Sequence, residues 1–204
     1  GVFVVPTQSI LTLGGQKKST NWQEGKVDDT SWEIGRFLHL ATKSNPTILE
    51  VFGAPLFDPP KDNHLAEELR ALFPHVWSTR SVWNAFSGYA RNKWRKVETD
   101  KYDVNTSNSM DKNALATARV LYQGRHLMDT GKMRVKLPEE FRDEQILMRE
   151  EMEKGRVTLG EILDYIEELK KQFWNACDAR GWDKTSNLEP VNEFLLKVRK
   201  EFWT

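Results

Sequence analysis

The chain has 204 residues, enough for one ordinary domain or a small domain with an appendage. Thirty Lys and Arg cancel thirty Asp and Glu, which excludes a globally basic nucleic-acid binder and leaves only local patches. The single cysteine, Cys177, excludes an internal disulfide framework and fits a reducing compartment, so a cytoplasmic location is expected; no apolar run nears the roughly 18 residues of a membrane span, so no membrane partner is expected.

The opening "GVFVVP" reads as a buried strand over residues 2–5. So abrupt an apolar start leads us to expect further sequence ahead of it. A weaker strand signal lies around residues 26–28. Between the two, "TLGGQKKSTNWQEG" is polar and glycine-bearing and reads as a loop. From residue 30 helical periodicity dominates. A first helix is predicted over residues 31–43, with Ile34, Phe37, Leu38 and Ala41 on its buried stripe. Thr30 and Glu33 have the spacing of a capping box at its start. "NPTILEVF" restarts a helix with Asn45 as N-cap and Pro46 in the first turn, and "GAPLFDPPKDN" breaks it.

Longer helices are predicted over 64–73, 79–98, 111–130 and 158–180, with shorter ones near 143–153 and 190–202. Gly131 and Gly181 stand at C-terminal caps, Thr158 and Glu161 form a second capping box, and Pro190 suits a first turn. In the 79–98 segment Val82, Phe86, Tyr89, Ala90 and Trp94 make the core stripe. Gly88 there costs about 1 kcal/mol relative to alanine, which suggests close packing or a ligand's approach. Most of the eight tryptophans are expected in the core. The organisation expected is a partial α/β core over 1–62 followed by a helical region over 63–204.

Several charged faces admit two readings. Arg36, His39 and Lys43 form a basic edge opposite the first buried stripe, either a triphosphate contact or an ordinary solvated face. Arg80, Asn84, Arg91 and Arg95 share one face of the 79–98 helix, suited either to a nucleic-acid backbone or to water. Lys112 and Arg119 share a face continued by Gln123 and His126, for phosphate contact or salt bridges. Glu161, Asp164, Glu167 and Glu168 have no histidine among them and read as a solvated face, and Cys177 as packing. Asp28 and Asp29 precede the first helix; from residue chemistry alone, Asp28 either caps a helix or turn or binds a metal, and Asp29 suits a solvated turn.

The ordered set Asp28, Trp32-Glu33-Ile34-Gly35-Arg36-Phe37-Leu38, Asn45-Pro46 and Leu49-Glu50 resembles a known family, the predicted nucleotidyltransferases of the DNA polymerase β superfamily that accompany RNA-ligase repair systems. "SGYARNKWRK" and "LYQGRHLMDTGKMRVKLP" resemble that family's later helices, and "GVFV" resembles the strand that follows its catalytic Asp-x-Asp. The resemblance implies an α+β fold, here the remnant of a nucleotidyltransferase mixed sheet followed by a mainly helical region. It implies transfer of a nucleotide from an NTP to a hydroxyl on RNA, protein or a small molecule. Two Mg²⁺ would be held by three carboxylates, one of them Asp28, which would also be catalytic. It further implies nucleotide or phosphate contacts from Lys112 and Arg119; phosphate contacts from Arg36 and Lys43 and nucleic-acid contacts from Arg80, Arg91 and Arg95 are expected from their charged faces. The chain departs from the pattern in two places. The Gly-Ser turn and Asp-x-Asp would stand ahead of Gly1, and Ala116 replaces a histidine three residues before Arg119. Those departures keep open a catalytically degenerate protein that binds nucleic acid or a protein partner, and an interaction module built on the tryptophan-rich helices.

Overall fold

A computed structural model of the chain describes residues 2–4, 19–24, 27–54, 64–100, 107–182 and 186–202, with the side chains of 19–29, 98–100 and 107–110 outside the description. Its strands are β1 (Val2–Phe3), β2 (Ser19–Glu24) and β3 (Val27–Glu33). They form a sheet in the order β1-β3-β2. β1 runs parallel to β3, with Val2 opposite Trp32 and Phe3 opposite Glu33. β2 runs antiparallel to β3, from Ser19 opposite Trp32 to Glu24 opposite Val27. Helices follow: α1 (Ile34–Thr42), α2 (Pro46–Gly53), α3 (His64–Ala71), a 3₁₀ turn (Phe73–His75), α4 (Thr79–Asp100), α5 (Ser107–Thr130), α6 (Glu139–Glu153), α7 (Leu159–Arg180) and α8 (Glu189–Glu201). The α+β class therefore holds.

The sheet corrects the expectations for the first thirty residues in three ways. Ser19–Glu24, expected inside a loop, form an edge strand, because antiparallel pairing with β3 satisfies the backbone whatever the polarity of the side chains. β3 runs past residue 30 to Glu33. Thr30 and Ser31 stand opposite Asn21 and Thr20, so Thr30 sits inside the ladder and the Thr30–Glu33 capping box does not form. Glu33 caps α1 itself: its Oε2 accepts from the backbone N–H of Gly35 at 2.8 Å and of Arg36 at 3.2 Å. Asp29, expected in a turn, is also within β3, opposite Trp22.

The helices follow the apolar periodicity. Ile34, Phe37, Leu38 and Ala41 are all buried on α1. Asn45 Oδ1 accepts from Ile48 N at 3.2 Å, with Pro46 opening α2. The Thr158–Glu161 box forms in full, Thr158 Oγ1 accepting from Glu161 N at 3.2 Å and Glu161 Oε2 accepting from Thr158 N at 2.8 Å. Gly131 and Gly181 close α5 and α7 at φ +70° and +95°, a region costly to a residue with a Cβ. The breaker segment 55–63 lies outside the described residues.

One apolar core runs through the helices. α4 packs along α5, and α5 along α7. Phe86 and Phe173 are fully buried there, their ring centroids 6.3 Å apart. Val191, Phe194 and Val198 of α8 join the same core as Ile34 and Phe37 of α1. Arg199 of α8 donates to Glu33 Oε1, tying the last helix to the end of β3, and Lys197 reaches Glu68 of α3 at 2.6 Å.

The tryptophans depart from expectation. Among the described residues Trp77 is buried; Trp32, Trp83, Trp94 and Trp182 only lean on the core, and Trp174 is 45% exposed. An indole covers apolar area with one face while its other face and N–H meet water, so high burial on average does not require a core position. At Gly88 a Cβ would meet nothing within 4 Å, so of the two readings of that glycine the close-packing one fails.

Candidate functional site

Asp28 lies in the central strand, its backbone opposite Gln23 of β2. β3 is paired with β2 at Asp28 and with β1 further on, at Trp32 and Glu33, so the residue sits on a strand held in the sheet. Asp28 does not cap α1, because the ladder continues through Trp32 and Glu33 does the capping. Its side chain, and with it the predicted metal contact, lies outside the described residues.

A cleft of about 190 Å³ opens between α2, α4 and α5, lined by Pro46, Thr47, Glu50, Tyr89, Ala116, Arg119, Val120 and Gln123. The α2 break at Asn45-Pro46 turns the first turn of that helix toward the cleft, and the 3.6-residue period of α5 brings Ala116, Arg119, Val120 and Gln123 to one side. Glu50 organises the polar part. Its Oε1 accepts from Arg119 Nη2 at 2.9 Å and from Gln123 Nε2 at 2.6 Å. Gln123, 2% exposed, also donates to the Arg134 carbonyl at 3.0 Å. The Arg119 side chain stays 44% exposed and its Nη2 is held by a carboxylate, so the guanidinium has further N–H donors beyond the one Glu50 accepts. The result is a cationic fork of fixed direction beside an aromatic ring, Tyr89, suited to an anionic ligand with a planar group.

Of the predicted residues with described side chains, Arg119 is the one that lines this cleft. Arg36 and Lys43 are exposed on α1 and at its C-terminus, away from the buried stripe, and Lys112 is exposed early in α5. Arg80, Arg91 and Arg95 are exposed along α4; Arg80 sits 4.8 Å over the Trp182 ring and Arg95 donates to Asn92 at 2.9 Å. Sequence reasoning gave no chemical role to Glu50 or to Gln123. The signal for Glu50 was available, since it is the acid within the otherwise apolar "TILEVF" and needs a partner if half-buried. Gln123 carried none beyond its place on the Arg119 face.

Nearby titrations are biased in readable directions. Burial, then the Arg134 charge, hold His126 below the usual imidazole value, against an opposing pull from Asp129. Burial, then Glu153, raise the Asp111 carboxyl, with Arg149 acting the other way. Burial pushes the Cys177 thiol up to about 12, with the Asp129 charge adding to it, which fits packing and not nucleophilic chemistry. Glu161, Asp164, Glu167 and Glu168 are all exposed, as expected of a solvated face. Among the described residues no three His, Cys, Asp or Glu side chains gather closely enough to hold a metal ion, and no helix is long and apolar enough to cross a membrane.

With this geometry in view, comparison with known proteins adds one finding. A family model described as the RNA repair pathway DNA polymerase beta family matches residues 1–173. No curated protein and no solved structure matches the chain.

Proposed function

The chain belongs to the RNA repair pathway DNA polymerase beta family, and from that premise we propose that it transfers a nucleotide from an NTP to a hydroxyl acceptor, on RNA or on protein. The observation that carries this reading is the parallel pairing of β1 with β3. Trp32 stands opposite Val2, so the strand that carries Asp28 is the direct neighbour of the "GVFV" strand. A carboxylate pair leading into that neighbouring strand, as the sequence resemblance implies, would meet Asp28 across adjacent strands.

In the reaction, the acceptor oxygen bonds to the α-phosphorus, the bond from that phosphorus to its bridging oxygen breaks, and pyrophosphate leaves. Asp28 accepts the hydroxyl proton. Arg119, held by a Glu50 carboxylate that Gln123 also fixes, offers its remaining N–H groups to phosphate oxygens, and Tyr89 offers a ring face to a base. Arg36, Lys43 and Lys112 add exposed cations for the triphosphate. A carboxylate such as Asp28 suits Mg²⁺, which would neutralise charge on the phosphates. The described residues do not themselves complete a two-metal donor set.

The test is incubation of the full protein with labelled NTPs, Mg²⁺ and RNA or protein acceptors. Transfer is expected, with a fall of about 100-fold or more in Asp28→Asn, in the range by which positioned acid–base groups act. Undiminished transfer by Asp28→Asn overturns the role of that residue, and no transfer by the wild-type protein to any acceptor overturns the reading as a whole.

A further inference from the structure

We propose that α4 and the tryptophans beside it form a binding surface for single-stranded nucleic acid, with Trp174 as the base-stacking platform and the α4 arginines as the phosphate track. The surface is separate from the α2–α4–α5 cleft and its binding does not depend on nucleotidyl transfer.

The aromatic part comes from three indoles. Trp83 of α4 meets Trp174 of α7 edge-on at 5.0 Å, and Trp182, just beyond α7, lies 4.7 Å from Trp174 and 6.3 Å from Trp83. Trp83 also rests on the buried Phe173 at 5.0 Å, which anchors the group to the core. Trp182 Nε1–H donates to Asp178 Oδ1 at 3.1 Å, which fixes the tilt of that ring. With 45% of its surface open, Trp174 presents ring area that the fold does not use. Rings held this rigidly lose little entropy when a base stacks on them.

The charge comes from α4, and this decides the kind of partner. In a chain of zero net charge, α4 has arginine or lysine at 80, 91, 93, 95 and 96 and no acid before Glu98. Positions 80, 91 and 95 fall on one stripe of the helix, about 22 Å from end to end at 1.5 Å per residue, and all three are exposed. Arg80 begins that stripe 4.8 Å over Trp182. The track of positive charge therefore starts at the aromatic group and leads away from it. Single strands are bound by this combination, a positive path for the backbone with aromatic faces for successive bases. A duplex keeps its bases stacked on one another and would use only the charges.

Fluorescence anisotropy with labelled single-stranded RNA, single-stranded DNA and a duplex, without NTP or Mg²⁺, tests this. Either single strand should bind more tightly than the duplex, and comparison of the two shows which sugar is preferred. Trp174→Ala should weaken binding about tenfold with the salt slope unchanged, while Trp174→Phe retains most of it. Arg91→Ala with Arg95→Ala should weaken binding and flatten the salt slope by about one to two. Asp28→Asn should bind as the wild type does, so failure of transfer and failure of binding remain distinguishable. Circular dichroism checks that each variant is folded, and the arginine pair decides the matter if Trp174→Ala is not. Wild-type affinity in the arginine pair overturns the proposal, as does wild-type affinity in a folded Trp174→Ala. So does a wild-type protein that binds neither single strand, which would assign the surface to a protein partner.

Discussion

Gly124 and Gly88 lie in helices that pack against each other, yet they call for opposite outcomes on substitution by alanine. A Cβ at Gly124 would stand 2.7 Å from Phe173 Cζ and 3.0 Å from both Cε atoms, and that ring is fully buried against Trp83 and Phe86. The ring has nowhere to move, so overpacking outweighs the gain in helix propensity. Gly124→Ala should lose about 1 kcal/mol or more. At Gly88 a Cβ meets nothing, and Gly88→Ala should gain up to about 1 kcal/mol. Urea midpoints of the two variants, measured side by side, check the pair; a stabilised Gly124→Ala would contradict the packing seen around Phe173. At the same scale, Glu33 shows how a residue's role depends on its neighbours. The spacing to Thr30 suggested a reciprocal pair, but the carboxylate turns to the N–H groups of its own helix and to Arg199.

At the scale of elements, the difference between the two predicted capping boxes is instructive. Thr158 and Glu161 follow the exposed approach of Gly155 and Arg156, where no strand competes for the threonine, and the box forms. Thr30 precedes α1 by the same kind of spacing, but β2 claims its backbone. Thr158→Ala should therefore cost about 1 kcal/mol, read from a lowered thermal midpoint, whereas the same change at Thr30 should not show a capping loss. Amphipathic stripes were legible in α1 and α4 because each is set by contacts of one helix with whatever apolar surface it meets. The strand β2 was not, because a polar edge strand is defined by its partner and carries little periodic signal of its own.

For the molecule as a whole, the family match ends at residue 173 while the fold does not. α8 returns to the beginning of the chain, burying Val191, Phe194 and Val198 in the common core and setting Arg199 on Glu33 at the junction of β3 and α1. The two side chains are 17% and 11% exposed, so removing one partner leaves a largely desolvated charge. Arg199→Ala should cost about 2 kcal/mol, less than a fully buried pair because Glu33 keeps its two backbone donors. Chemical denaturation measures the loss, and an unchanged midpoint would show that α8 docks through its apolar face alone.

The sequence by itself determined the helices, their buried stripes, the Asn45-Pro46 restart, the glycine caps at Gly131 and Gly181, the Thr158–Glu161 box, and the family resemblance around Asp28. These are local, since propensity, periodicity and capping act within a few residues. The tertiary structure decided the rest. It placed Asp28 on a central strand, joined Arg119 and Gln123 through the Glu50 carboxylate, set Trp174 and its neighbours at the surface beside the α4 arginines, and closed α8 onto Glu33. Each of those joins residues far apart in the chain, and such contacts depend on how apolar faces dock, which no single segment's pattern specifies.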